Sequence, residues 1–165
     1  MRASLVIVFG LIASAGSSAA ADNLIREVRH ELLLVPGYTA FDWLAYRTDG
    51  AKVTLLGAVV HGDLKRDAEN AVKSIEGVGS VQNNIEVLPA SGTDDLIRHG
   101  ILQSIDQQMF AYLSQLVKQI HVIVKNGNVT LEGEVSSQAD KDKISVLAKQ
   151  VQQVRGVTNN LVIQK

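Results

Sequence analysis

The chain contains no cysteine. That excludes a disulfide framework, a thiolate metal site, a cysteine nucleophile and an N-terminal cysteine that could be acylated after export. Packing alone must hold the fold. An excess of one charge is missing too: 16 Lys and Arg stand against 17 Asp and Glu, a formal net charge of −1. The pI near 6.4 lacks the basic footprint of phosphate-backbone binding, so no nucleic-acid partner is expected. No run of five like charges forms a tail. The four histidines, His30, His61, His99 and His121, are scattered without H-x-x-x-H or H-E-x-x-H spacing, so no metal is expected and the imidazoles read as solvated or partly buried. G-x-S-x-G, P-loop and dinucleotide fingerprints are missing as well. "GVGS" at 77–80 is too short for a phosphate loop and reads as a helix ending in a Gly C-cap. Nothing here predicts catalysis or a cofactor.

Long apolar runs are absent after the first residues. Arg2 supplies positive charge, Leu5 to Ile12 is apolar, and small residues follow down to Ala19-Ala20-Ala21. This is the pattern of a secretory signal peptide over residues 1–21, cut before Asp22. The run from Leu5 to Ala15 is 11 residues, whereas a membrane span needs about 20. The expected product is an exported protein, peripheral to a membrane at most.

What is present is a repeat. "AKVTLLGAV" at 51–59 returns as "GNVTLEGEV" at 127–135. At an offset of 76, residues 44–87 align with 120–163 without a gap, and 11 of the 44 pairs are identical. Such a register marks a duplicated domain. Each copy opens with a helix. Leu24, Ile25, Val28, Leu32 and Leu33 form one apolar stripe; Leu96, Ile97, Ile101, Ile105 and Met109 form the other. "NLIR" at 23–26 and "DLIR" at 95–98 offer Asn or Asp as N-caps. A hairpin follows, turning at "DG" 49–50 or "NG" 126–127. Gly57 and Gly133 interrupt the returning strands and predict a bend or a close helix approach. A second helix and one last alternating strand close each copy. The prediction is an α+β protein of two tandem α-β-β-α-β domains, 22–89 and 94–165, joined by a linker at 90–93. Each domain is a three-stranded sheet with two helices on one face.

The order helix, D-G-x-x-V-T-L-x-G-x-V, helix, G-V-x-x-V-x-N-x-I resembles the BON domain. Gly50, Val53, Thr54, Leu55, Gly57, Val59, Val78, Val81, Asn83 and Ile85 carry the likeness in copy 1. Gly127, Val129, Thr130, Leu131, Gly133, Val135, Val154, Val157, Asn159 and Leu161 carry it in copy 2. The tandem arrangement is similar to that of osmotically inducible periplasmic members. The resemblance implies a periplasmic envelope setting, non-enzymatic action, affinity for phospholipid surfaces, a transport-associated label and a role in osmotic stress. Some members are lipoproteins; this chain has no cysteine to acylate.

Two surfaces stand out as candidates. The sheet face opposite Val53, Leu55 and Val59 carries Ala45, Leu56, Ala58 and Val60, with Trp43 in phase beside them. In copy 2 the equivalent positions are His121, Glu132, Glu134 and Ser136, which read as a wet face. Copy 1 is apolar on both faces, so something must cover Trp43, Ala45, Leu56, Ala58 and Val60: the other copy, a second molecule, a client protein or lipid. The second candidate is Lys65 and Lys73 with their repeats Lys141 and Lys149, eight apart on the second helices and placed to touch lipid phosphates. Ile101, Met109, Phe110 and Tyr112 offer a further apolar contact. The expected partners are an anionic phospholipid or an envelope protein. The alternative reading is a soluble chaperone-like factor that binds exported clients through the apolar face.

Overall fold

The computed structural model describes residues 4–6, 19–109 and 120–164. It contains two α+β units. The first comprises Met1–Tyr38 and Leu44–Val87, the second Thr39–Trp43 and Leu88–Lys165. In the first unit the order is β1 (Ser4–Val6), α1 (Ala19–Leu34), β2 (Trp43–Asp49), β3 (Lys52–Val59), α2 (Gly62–Lys73), β4 (Ser80–Asn83) and β5 (Glu86–Val87). In the second it is α3 (Gly92–Gln108), β6 (Ile120–Lys125), β7 (Asn128–Val135), α4 (Gln138–Gln150), β8 (Gly156–Asn159) and β9 (Val162–Ile163). Most of the expected leader, with Phe110 and Tyr112, lies outside the described residues.

Both units use one plan. A hairpin pairs antiparallel, and its second strand then pairs in parallel with the last strand of the repeat. In unit 2 the core is the apolar stripe of α3 (Ile97, Ile101, Ile105) packed with Ile144, Leu147 and Ala148 of α4. Both meet Ile120, Val122, Val124, Val129 and Leu131 of the sheet. Unit 1 buries Val28 and Leu32 of α1 and Leu64, Ala68 and Val72 of α2, with Leu44, Tyr46, Val53, Leu55 and Val59 of its strands. The Tyr46 hydroxyl donates to the Ile25 carbonyl at 2.6 Å and fastens α1 over β2. Burial pushes that phenol up to about 12.

Several local expectations change. The last strand of each copy is not continuous; it breaks after Asn83 and after Asn159. The asparagines account for the break. Asn83 Nδ2 donates to the Lys65 carbonyl at 2.9 Å, and its Oδ1 accepts the Ile85 N–H. Asn159 repeats this with Lys141 and Leu161. A side chain tied to the second helix replaces the ladder there. Ser91 caps α3, accepting from Asp94 N at 3.2 Å, and Asn23 sits inside α1, so "DLIR" and "NLIR" are not caps. The serine hydroxyl lies three residues ahead of the N–H it satisfies, which is cap geometry.

Glycine placement follows backbone need at few points. Gly57 and Gly133 adopt φ of +115° and +116°, which bends the strands at the predicted places. The hairpin in unit 2 turns on Asn126 (φ +52°) and Gly127 (φ +77°), as a type I′ turn requires. In unit 1 the two turn residues are Gly50 and Ala51, one place later than "DG", and only Gly50 is left-handed. "GVGS" is not a helix cap: α2 ends at Lys73, and Gly77 (φ +92°) serves a later turn. Its repeat partner is Gln153, held at φ +69°. A side chain in that region costs roughly 1 kcal/mol. Gln153→Gly is therefore expected to raise stability by up to about 1 kcal/mol in urea unfolding, less the entropy glycine adds to the unfolded chain. A loss of stability would show that the glutamine side chain holds the turn.

Candidate functional site

The lysines lie as the helical spacing predicts, in each repeat four and twelve residues into the segment that starts at His61 or Ser137. Lys73 and Lys149 are exposed near the ends of α2 and α4, while Lys65 and Lys141 are half-buried. Lys73 pairs with Glu69, whose carboxyl is held below its usual range chiefly by that hydrogen bond and by one from Asn83. Of the apolar-face residues, Trp43 and Ala45 are buried, and Leu56, Ala58 and Val60 are half-buried.

Trp43 belongs to a short segment, Thr39–Trp43, that clusters with unit 2. Asp42 shapes this segment. Its Oδ2 accepts from Thr39 N at 3.0 Å and Thr39 Oγ1 at 2.7 Å, closing a small turn. Ala40 then accepts the Val122 N–H at 2.7 Å, on the outer edge of β6. Phe41 meets His99 edge-on at 4.9 Å, and the Trp43 ring lies 5.1 Å from His121. His121 Nδ1 donates to the Thr39 carbonyl at 3.3 Å, a carbonyl being only an acceptor.

The consequence is a change in His121 and its face. It is fully buried rather than solvated. Desolvation lowers its pKa to about 4, against the opposing pull of hydrogen bonds to the Asp42 and Thr39 backbone and of the Asp42 charge. Its cross-strand neighbour Glu132 is raised by burial, partly offset by a hydrogen bond from Asn160. The wet face expected in copy 2 is thus partly covered. Sequence reading had no signal for this, because the covering segment lies some 80 residues earlier.

A second missed feature is a clamp on the unit 2 hairpin. Asp94, 1% exposed, accepts from Asn126 N and Gly127 N, both at 2.8 Å. Arg98, one turn on and 2% exposed, donates to the Val124 carbonyl at 2.6 Å and pairs with Asp95. An aspartate and an arginine four apart on one helix face, beside an Asn-Gly turn, was the available signal.

Each unit also has an open cleft where its first helix, its hairpin turn and the loop after its second helix meet. Leu24, Glu27, Gly50 and Gly77 line one of about 510 Å³; Thr93, Asp94, Gly127 and Arg155 line one of about 800 Å³. The acid in the second is already engaged by the turn. Among the described residues no three metal-binding side chains converge, and no helix is long and apolar enough to cross a membrane.

The fold and its paired repeats define a tandem α+β domain protein whose distinctive residues serve turns and strand breaks. The BON domain family model matches residues 21–89 and 94–165, and the chain belongs to that family. It is 31% identical over 121 residues to Osmotically-inducible protein Y of Escherichia coli (strain K12), covering 72% of this chain. That stretch spans 60% of the relative's length. Among solved structures, the C-terminal domain of CdsD, a structural protein of the type III secretion system of Chlamydia trachomatis, aligns with 91% of the chain and 100% of its own. The identity is 14% and the TM-score 0.35. A second CdsD structure aligns at 16% and 0.33, over 86% of this chain and 92% of that one.

Proposed function

We propose that this is an exported, periplasmic protein, cut before Asp22, that acts by binding rather than catalysis. It supports envelope integrity under osmotic stress by resting on anionic phospholipid surfaces or envelope proteins. The observation that carries this reading is the pair of BON domains filling the chain, with an osmotically inducible relative. Lys73 and Lys149 supply accessible cations, each contributing about 1 kcal/mol near an anionic surface. Acidic neighbours, Glu69 foremost, keep the attraction weak and sensitive to salt.

Co-sedimentation of the chain with vesicles tests it. Binding to anionic but not zwitterionic vesicles is expected, fading from low to moderate salt. The double change Lys73→Gln, Lys149→Gln should weaken it about tenfold. No binding under any condition would remove lipid as the ligand. The second reading, a soluble factor that holds exported clients, is favoured by the apolar side chains of Leu56, Ala58 and Val60 remaining partly accessible. On that reading Leu56→Glu abolishes suppression of client aggregation and leaves vesicle binding unchanged.

A further inference from the structure

A sheet edge presents unpaired N–H and C=O groups and is open to strand addition unless it is blunted or covered. In unit 1 the strands run β1-β2-β3-β4, with β5 beside β3. One edge is split into β4 and β5, of four and two residues, and offers little to pair with. The other is β1, only three residues long, antiparallel to β2 with Ser4 opposite Thr48, Leu5 opposite Arg47 and Val6 opposite Tyr46. Behind it β2 is seven residues long, with no proline and no left-handed residue. Unit 2 treats the equivalent edge differently. There the Ala40 carbonyl, from a segment internal to the chain, takes the Val122 N–H of β6.

The outer edge of unit 2 is therefore met by a built-in segment. The outer edge of unit 1 is met by residues of the expected leader from Tyr46 to Thr48, while the Leu44 N–H nearer its start donates to the Tyr38 hydroxyl at 3.4 Å. We propose that removal of residues 1–21 bares the outer edge of β2 from Tyr46 to Thr48, and that this stretch then takes up an extended apolar segment of a non-native exported polypeptide as an added antiparallel strand. The occupant's chemistry is that of the segment seated there now: short and apolar, Leu5 followed by the β-branched Val6. Main-chain hydrogen bonds would supply the affinity and alternate side chains a modest selectivity. Binding of this kind reads backbone more than sequence, as a factor serving many clients requires. The inference rests on the export reading of residues 1–21, and its test separates the two.

The chain has no cysteine, so disulfide trapping reports register directly. Residues directly opposite in an antiparallel pair have side chains within bridging reach. The full chain carries Thr48→Cys, with Leu5→Pro to unseat β1. The probe is a synthetic peptide of residues 1–9 with Ser4→Cys. Trapping at Thr48→Cys should run about tenfold faster than at Gln82→Cys, an exposed position on the opposite edge. It should slow when β1 is left intact. Methylating alternate peptide nitrogens should slow it about tenfold, because each methyl removes a ladder donor. Equal rates at both cysteines, indifference to N-methylation, or trapping of chain dimers through Thr48→Cys in place of the peptide would overturn the proposal. N-terminal sequencing of the exported protein tests the leader separately. A start at Met1 beside successful trapping would sink the processing and leave the edge standing.

Discussion

Asp94→Ala is expected to destabilise unit 2 by about 3 kcal/mol in urea unfolding, from the loss of two hydrogen bonds to a charged acceptor in a buried setting. The carboxylate is 1% exposed and spans two successive backbone N–H groups, those of Asn126 and Gly127. Its removal leaves the Gly127 N–H buried without an acceptor, while exposed Asn126 can recover water. The turn itself has little room to adapt. A Cβ at Gly127 would lie 3.1 Å from both the Gln153 carbonyl oxygen and the Arg155 stem. Asp94→Asn keeps one acceptor and should cost about half as much. Ser91→Ala, which removes only the cap bond to Asp94 N, should cost about 1 kcal/mol. The order Ala, Asn, then the cap variant identifies the clamp. Equal losses for Asp94→Ala and Ser91→Ala would mean that Asp94 acts merely as a first-turn acid.

The repeat made most of the fold legible. Val53, Leu55 and Val59 alternate, and Val129, Leu131 and Val135 repeat them, because strand periodicity is local and duplication doubles its signal. Gly57 and Gly133 are legible as a bend or a close helix approach because glycine otherwise weakens a strand interior, and their positive φ favours the bend. The errors share a physical cause. Ser91 looked like linker, since a cap is polar and small in the same way as a loop. The break after Asn83 depends on a helix carbonyl 18 residues away. His121 reads as wet because Glu132 and Glu134 of the paired strand share its face; what buries it is Thr39–Trp43, far away in sequence. Periodicity reports which face of an element is apolar. It does not report which distant segment lies on the other face.

That segment has a pH dependence with a definite sign. The His121 pKa stands near 4 in the folded protein against 6.5 when free. Above pH 6.5 the ring is neutral in both states and the burial is without penalty. Between 6.5 and 4 the unfolded chain takes up a proton that the folded chain refuses, so stability falls as pH falls, and below 4 the loss levels off. The depth of the loss is about 3 kcal/mol. The groups facing His121 modulate it. Asp42, buried in the covering segment, favours the imidazolium, and Glu132, raised by burial, works in the opposite direction, since its protonation favours the fold as pH drops. His121→Gln should remove most of the dependence between pH 6.5 and 4, leaving the Glu132 contribution. Trp43 reads the event from inside. It is the chain's one tryptophan, its ring 5.1 Å from the imidazole. Its fluorescence should therefore change with a midpoint near pH 4 in the native protein, and His121→Gln should flatten that titration. A midpoint near 6.5 would mean that Thr39–Trp43 opens freely and the imidazole is hydrated. A flat stability curve from 6.5 to 4 would mean that Asp42 compensates the buried ring in full.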